Sequence, residues 1–308
     1  MNLQIGTTMK TSKNKLNIIK MNINEHFIFR EEVQNMAEKK MNGFIIDLDG
    51  TVYAGDELIA GARESIEYLQ QLQIPFVFLS NRGNYSREMC KAKLNRFGIN
   101  VQIENIILSS TVTAKFLEQY YFNDPIWTLG DAGLEEELRA HGLLIAEHPE
   151  LAEWLVITLH ENVTYDDLNQ AFRAVRAGAR IIATNEDRTF PRQDGDCIDV
   201  AAMIGAITYS TGRDVDLVMG KPSSMMAEAA LEQLGVEAED CIVIGDSLPS
   251  DIHLAHKANM KSVLVLSGST KRKQIVESEW QPTWVSDNMW SFLRTYQTTG
   301  AGKNDRSI

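Results

Sequence analysis

The run Asp47-Leu48-Asp49-Gly50-Thr51 sets two carboxylates two residues apart and follows them with a glycine that lets the chain turn at once. One aspartate can attack an electrophile such as phosphorus. The other, held protonated, can donate to the leaving oxygen and later deprotonate water. Attack by a carboxylate on a phosphate dianion is electrostatically opposed unless cations intervene. Lys221 in Gly220-Lys221-Pro222, together with a divalent ion held by Asp47 and Asp246, would provide them. Magnesium suits a few carboxylates, waters and a phosphate oxygen. The Ser80 hydroxyl and the amide of Asn81 can donate to the remaining phosphate oxygens. Asp251, at the end of Gly245-Asp-Ser-Leu-Pro-Ser-Asp251, is expected one turn into the next helix, where it would orient Lys221 or the metal's waters. Each run alone has an ordinary explanation as a solvated turn or helix punctuation; the four in this order, each at the end of a predicted element, argue for chemistry.

The elements that must position these groups are legible as alternating apolar runs and helical patterns. Short β-rich runs recur at Phe44–Ile46, Phe76–Leu79, Ile106–Leu108, Leu155–Ile157, Arg180–Ile182, Ile242–Ile244 and Val263–Leu266. Between them, Ile66, Leu69 and Leu72 share one helical face. A second helix is predicted from an N-cap at Thr164 through Leu168, Phe172 and Val175 to a stop at Gly178, and a third from Pro222 in its first turn to Gly235. Strands apolar on both faces with helical crossovers predict a parallel α/β sheet. Such a sheet binds ligands at the carboxyl ends of its strands, where Asp47, Ser80 and Asp246 fall.

Composition limits the alternatives. The 308 residues are 44% hydrophobic and carry a net charge of −12, which argues against nucleic acid as a partner because that affinity needs clustered cations. No apolar run approaches the roughly 18 to 20 residues of a membrane helix, so no membrane partner is expected. Cys90, Cys197 and Cys241 lie far apart without metal-site spacing, which fits a reducing cytoplasm; Cys241 opens an apolar run and reads as a buried small hydrophobe. Residues 1–41 carry seven Lys or Arg against four Asp or Glu, a net of +3, which puts −15 on the rest. They read as an extension the fold does not need, and residues 297–308 as a disordered tail. His253 and His256, one helical turn apart without an acidic partner in register, read as a solvated face, and Trp280, Trp284 and Trp290 as packing.

With Asp47-Leu-Asp-Gly-Thr, Phe78-Leu-Ser-Asn-Arg-Gly, Gly220-Lys-Pro and Gly245-Asp in this order, the chain resembles the haloacid dehalogenase superfamily, and within it the NagD-like branch. Leu159-His-Glu, Tyr165-Asp-Asp-Leu-Asn-Gln-Ala-Phe and Ile182-Ala-Thr-Asn extend the likeness to the sugar phosphatases of bacterial arabinose operons. The resemblance implies a Rossmann-like parallel-sheet core over 42–121 and 215–296, interrupted by an inserted α/β cap of the C2 type over 122–214. It implies Asp47 as nucleophile, Asp49 as general acid and base, and Asp47, the Asp49 carbonyl and Asp246 as magnesium ligands. Ser80, Asn81 and Lys221 would hold the phosphate, and a homodimer through the cap is a further implication.

An inserted cap would roof the site and exclude water. The polar loop Thr184–Pro191 would face the substrate through Asn185, Asp187 and Arg188, side chains suited to hydroxyl-rich molecules. Many NagD-like chains read Pro-Gly-x-Gly where this one has Ile198-Asp199-Val200-Ala201. The expected activity is hydrolysis of small phosphate monoesters, pentose and hexose phosphates first. A pyridoxal phosphate, nucleotide or phosphoglycolate phosphatase, a phosphomutase and an inactive metabolite sensor are the rivals.

Overall fold

The structure, a computed structural model, describes residues 43–192 and 195–300. The expectations for residues 1–41 and for 301–308 lie outside the described residues. Along the chain come β1 (Gly43–Ile46), α1 (Ala62–Gln71), β2 (Phe76–Ser80), α2 (Arg87–Arg96), β3 (Ile106–Leu108) and α3 (Ser109–Tyr121). There follow β4 (Ile126–Leu129), α4 (Ala132–Ala140), β5 (Trp154–Ile157), α5 (Tyr165–Ala177), β6 (Arg180–Ala183), a hairpin of Thr189–Arg192 with Gly195–Ile198, α6 (Val200–Thr211) and β7 (Leu217–Val218). The last part holds α7 (Ser224–Leu234), β8 (Cys241–Gly245), α8 (His253–Lys257), β9 (Lys261–Val265), α9 (Arg272–Glu277), β10 (Trp284–Ser286) and α10 (Met289–Gly300), which runs into the segment expected as a tail.

Two parallel sheets result. The larger has the order β10-β9-β8-β1-β2-β3, the smaller β7-β6-β5-β4. The residues 42–292 that contain both sheets form one compact unit. In the larger sheet β1 sits between β8 and β2, and the chain leaves it toward β2 on one side while β8 lies on the other. That reversal opens a crevice at the carboxyl end of β1. β1 can occupy the centre because Phe44, Ile45 and Ile46 are all buried, as a strand covered on both faces requires.

The smaller sheet shows the period of two that puts alternate side chains on opposite faces. Trp154 and Val156 of β5 join the apolar cluster that includes Ile45, Val77 and Leu79 of the larger sheet, whereas Leu155 and Ile157 pack with α5 and α6. One continuous core thus runs from the first sheet to the second. Its edge strand β7 pairs Leu217 with Ile182, so the second sheet extends beyond residue 214, where the insertion was expected to end.

Other local expectations shift for identifiable reasons. Ile66 and Leu69 are buried, but Leu72 is half exposed because it is the C-cap of α1, beyond the packed turns. Pro222 lies before the helix rather than in its first turn, and Ser223 caps α7 by accepting from the Met225 N–H. Thr164 and Asp167 form a reciprocal capping box on α5, and Gly178 ends it with a positive φ. Cys241 is fully buried, as its apolar run requires. His253 stacks on Trp280 at 4.0 Å rather than facing water alone.

A buried carboxylate ties α4 to α2. Glu137, with a side chain 3% exposed, accepts from the Arg87 backbone N–H at 3.0 Å and from Arg87 Nε at 2.6 Å. Burial opposes its charge, but bonds from His141, Arg87 and Thr111 hold the carboxyl down at about 2. A carboxylate lowered by folding stabilises fully above its unfolded value near 4.5, and that contribution is lost as pH falls toward 2. Glu137→Gln is expected to cost about 2 kcal/mol at neutral pH. Thermal melts from pH 7 down to 3 check this: the gap between wild type and variant should narrow as the pH falls.

Candidate active site

The site is assembled at the carboxyl ends of β1, β2 and β8. Asp47 leaves β1 with its backbone N–H still bonded to the Ile244 carbonyl at 2.8 Å, which fixes it beside β8. Leu48 then accepts from the N–H groups of Thr51, Val52 and Tyr53, folding the chain back, and Gly50 takes the positive φ of 84° this turn needs. Ser80 closes β2 rather than following it, and Asp246 comes directly after β8. Asp251 falls in a single π-helical turn, Leu248–Ile252, before α8. Single π turns are rare and frequently fall at functional positions.

Lys221 is drawn into the middle of this group. Its Nζ donates to Asp47 Oδ1 at 2.5 Å, Asp251 Oδ1 at 2.7 Å and the Leu79 carbonyl at 2.9 Å. Burial disfavours the ammonium, yet Asp251 and Asp47 hold its pKa well above the ordinary lysine value. For Asp47 the balance goes the other way. Burial pushes its carboxyl up, Lys221 pulls it down, and the charges of Asp251 and Asp246 push it up again, with a net rise. Asp246 is raised to about 6 by burial and Asp251, although the Ser269 N–H donates to its Oδ2 at 2.5 Å.

Asp49 is held differently. Arg82 grips it with both arms, Nε to Oδ2 at 3.0 Å and Nη2 to Oδ1 at 2.8 Å. Burial would raise this carboxyl, but the guanidinium outweighs it and keeps Asp49 below the usual range. Ser80 accepts from the Arg82 backbone N–H at 3.2 Å.

These groups share the wall of a cavity of about 590 Å³ with the loop from Asn185 to Phe190, Asp199 and Ser269. Asn81 knits the loop to the strand ends: its Oδ1 accepts from the Lys221 N–H at 2.7 Å, and its Nδ2 donates to Asp187 Oδ2 at 3.0 Å and the Lys221 carbonyl at 3.2 Å. Asn185 is buried, donates to the Asn81 carbonyl and accepts from the Asp187 N–H. Arg188 is exposed at the cavity wall. Burial raises Asp187, and it raises Asp199 to about 6.

Against known proteins, residues 44–144 match the family described as haloacid dehalogenase-like hydrolase, and residues 218–292 a second family described as HAD-hydrolase-like. Sugar-phosphatase AraL of Bacillus subtilis is 53% identical over 247 residues, 80% of this chain and 90% of that protein. The chain belongs to the haloacid dehalogenase-like hydrolase family. The acid sugar phosphatase of Staphylococcus saprophyticus is 32% identical, over 80% of this chain and 95% of its own. The p-nitrophenyl phosphatase from Archaeoglobus fulgidus superposes with a TM-score of 0.78 at 33% identity, covering 83% of this chain and 99% of that one. The match over nearly the whole of that structure includes the smaller sheet, the cap of this NagD-like fold.

Within this family architecture a divalent cation is implied, and the residues fit it. Carboxylate oxygens of Asp47, Asp246 and Asp251 lie within 4.8 Å of one another, and Asp47 Oδ2 is buried without a hydrogen-bond partner. Carboxylates raised by burial and mutual repulsion mark a place where positive charge is short, and an all-oxygen donor set suits magnesium. Lys221 and the Ser247 N–H already occupy the two oxygens of Asp251. Asp47 Oδ2 and Asp246 are therefore the side-chain donors best placed to hold the ion.

Sequence reasoning found the aspartates, Ser80, Asn81 and Lys221, which the fold brings together. It passed over Arg82, Phe190 and Asp199. Arg82 stood inside the quoted Ser80-Asn81-Arg82-Gly83 run and Asp199 at the departure from Pro-Gly-x-Gly, so both positions were visible without their partners. Asn185, expected to face substrate, spends both ends of its carboxamide inside the protein.

Gly268 offers a direct check of the metal fit, because a Cβ there would collide with the Asp246 carboxylate. Gly268→Ala is expected to weaken magnesium binding at least tenfold in calorimetric titration while leaving the melting temperature of the ion-free protein within a few degrees of wild type.

Proposed function

We propose that the protein is a magnesium-dependent phosphatase that hydrolyses small sugar phosphates through a phosphorylated Asp47. The observation that carries the reading is the state of that carboxylate. One oxygen is fixed by Lys221 and the other is bare, buried and aimed at a group of acids that needs a cation. The names of two relatives, both sugar phosphatases, support the same substrate class, and that of the p-nitrophenyl phosphatase supports phosphate-ester hydrolysis.

In the first step Asp47 attacks phosphorus, the bond to the ester oxygen breaks, and Asp49 supplies the proton that the departing alkoxide needs. In the second, Asp49 takes a proton from water, whose oxygen attacks phosphorus and releases Asp47 with inorganic phosphate. Asp47 Oδ2, Asp246 and the Asp49 carbonyl would hold magnesium, which when bound offsets the negative charge of the transferring group. Lys221 orients Asp47 and offsets part of the cost of its charge, Asp251 holds Lys221, and Ser80 with the Asn81 backbone N–H would meet the phosphate oxygens. The cap closes over the leaving group with Asp187 and Arg188, and Asn185 braces the loop that carries them.

Asp47→Asn is expected to abolish phosphate release with the fold intact. Chelation should silence the wild-type protein and magnesium restore it; turnover surviving either treatment would refute the mechanism. Asp49→Asn should slow an alkyl sugar phosphate by about 10²–10⁴ and p-nitrophenyl phosphate less, because the latter leaves without a proton. A phosphate-release screen over pentose and hexose phosphates, nucleotides, phosphoglycolate and pyridoxal phosphate tests the substrate class. Best turnover on any but the sugars would overturn it.

A further inference from the structure

The bidentate grip of Arg82 on Asp49 conflicts with the work assigned to Asp49. A carboxylate whose two oxygens both accept from a guanidinium fork carries no proton to pass to an ester oxygen and offers only its remaining lone pairs to water, so the pair has to open for Asp49 to act as the acid. Three observations say what opens it. Arg82 lies two residues from Ser80, at the phosphate end of the cavity, and lines the same wall as Glu186, Arg188 and Phe190 of the cap loop. Its guanidinium carbon sits 5.1 Å from the centre of the Phe190 ring and 5.9 Å from that of Tyr85, so the planar group is held between core and cap with an aromatic surface to slide on. Only two of its five N–H groups are spent on Asp49, which leaves the rest of the fork to a ligand.

We propose that Arg82 is a specificity-determining residue that locks Asp49 until hydroxyl groups of the leaving alcohol take over its guanidinium. This rests on the reading of the site as a phosphatase that uses Asp49 as its acid. A polyol beside the phosphate offers oxygens on adjacent carbons, within reach of a fork that already spans two carboxylate oxygens. As the fork turns to them, Phe190 supports its face, and Asp49, no longer accepting from the guanidinium, takes a proton from solvent and presents it to the ester oxygen. An alcohol without hydroxyls has nothing to exchange for Asp49, and the lock stays closed. Discrimination is then exerted on the chemical step through Asp49 and not only on binding.

The test compares kcat/KM for ribose 5-phosphate and for ethyl phosphate in wild type, Arg82→Gln and Arg82→Lys, with p-nitrophenyl phosphate turnover and thermal melts run beside them. Wild type should strongly prefer ribose 5-phosphate. In Arg82→Gln the preference should fall at least tenfold, by loss on the sugar phosphate together with gain on ethyl phosphate, where Asp49 is now unlocked. Arg82→Lys keeps the charge but not the fork and should fall between, and it carries the test if the glutamine variant does not fold. A preference that stays within twofold of wild type in the folded variants overturns the proposal, including the case where both rates drop together, which is the signature of a structural role. Wild-type protein that releases no phosphate from any of the three esters would instead refute the phosphatase reading, and the lock with it.

Discussion

One ammonium group organises the site. Lys221 has three hydrogens to donate, and all three are used, on Asp47, Asp251 and the Leu79 carbonyl. That saturation sets the orientation of Asp47, since Oδ1 is tied to Lys221 and Oδ2 is left bare among the acids where a cation would sit. It also limits what Lys221 can do for an incoming phosphate, which would have to displace one of these partners to be bonded directly. The lysine is better matched to balancing and aiming Asp47 than to gripping the substrate. One positive charge among Asp47, Asp246 and Asp251 leaves the group short of cations, and burial together with repulsion from Asp251 pushes both Asp47 and Asp246 up.

Holding Lys221 in place is a matter of backbone, and the work falls to Asn81. A single carboxamide bonds both the N–H and the carbonyl of Lys221 and also reaches Asp187, while Asn185 closes the circuit on the Asn81 carbonyl. The loop after β2 therefore fixes the lysine of the core and the roof of the cavity together. Thr158 and Thr184, at the ends of β5 and β6, are hydrogen-bonded to each other against Gly83 of the same loop, where a larger residue would collide with both. Beside the cavity, core and cap meet on a buried polar seam. Such a seam fixes geometry because each of its groups would lose a partner if the two parts moved apart.

The parts of this arrangement that were legible in the sequence share a property: their evidence is local. β1, β2, β5 and β8 announce themselves as apolar runs because both faces are buried, and α5 is bounded by a capping box and a glycine within its own length. β7 and β10 were missed because they are short, and β4, as long as β1, because only its end residues Ile126 and Leu129 are fully buried and Trp127-Thr128 between them breaks the apolar run. The first strand of the hairpin, Thr189–Arg192, was read as part of the loop Thr184–Pro191 and its partner Gly195–Ile198 was passed over, since Pro191 and its polar neighbours carry no strand pattern. The site divides the same way. Asp47, Asp49, Lys221 and Asp246 sit at element ends in a recognisable order, whereas the importance of Arg82 lies in a carboxylate 33 residues earlier and an aromatic ring on the cap. Nothing in an arginine after Ser-Asn states which acid it will hold.

Charge explains why local pairing matters so much here. The chain beyond residue 41 carries −15, and the cavity wall includes Asp47, Asp49, Asp187, Asp199, Asp246 and Asp251. Each such carboxylate about 4 Å from a phosphate oxygen opposes binding by roughly 4 kcal/mol per unit charge pair at an effective dielectric near 20. Long-range steering of an anion is therefore not what fills this site. What reverses the sign is pairing. Asp47 and Asp251 share the single charge of Lys221, Asp49 is paired with Arg82, and a divalent ion would offset what Lys221 leaves unbalanced on Asp47 and Asp246. Asp199, raised to about 6, sheds part of its charge just below neutral pH. An acidic cavity can accept an anion when its acids are already engaged, and the same engagements decide which of them is free to react once the anion has arrived.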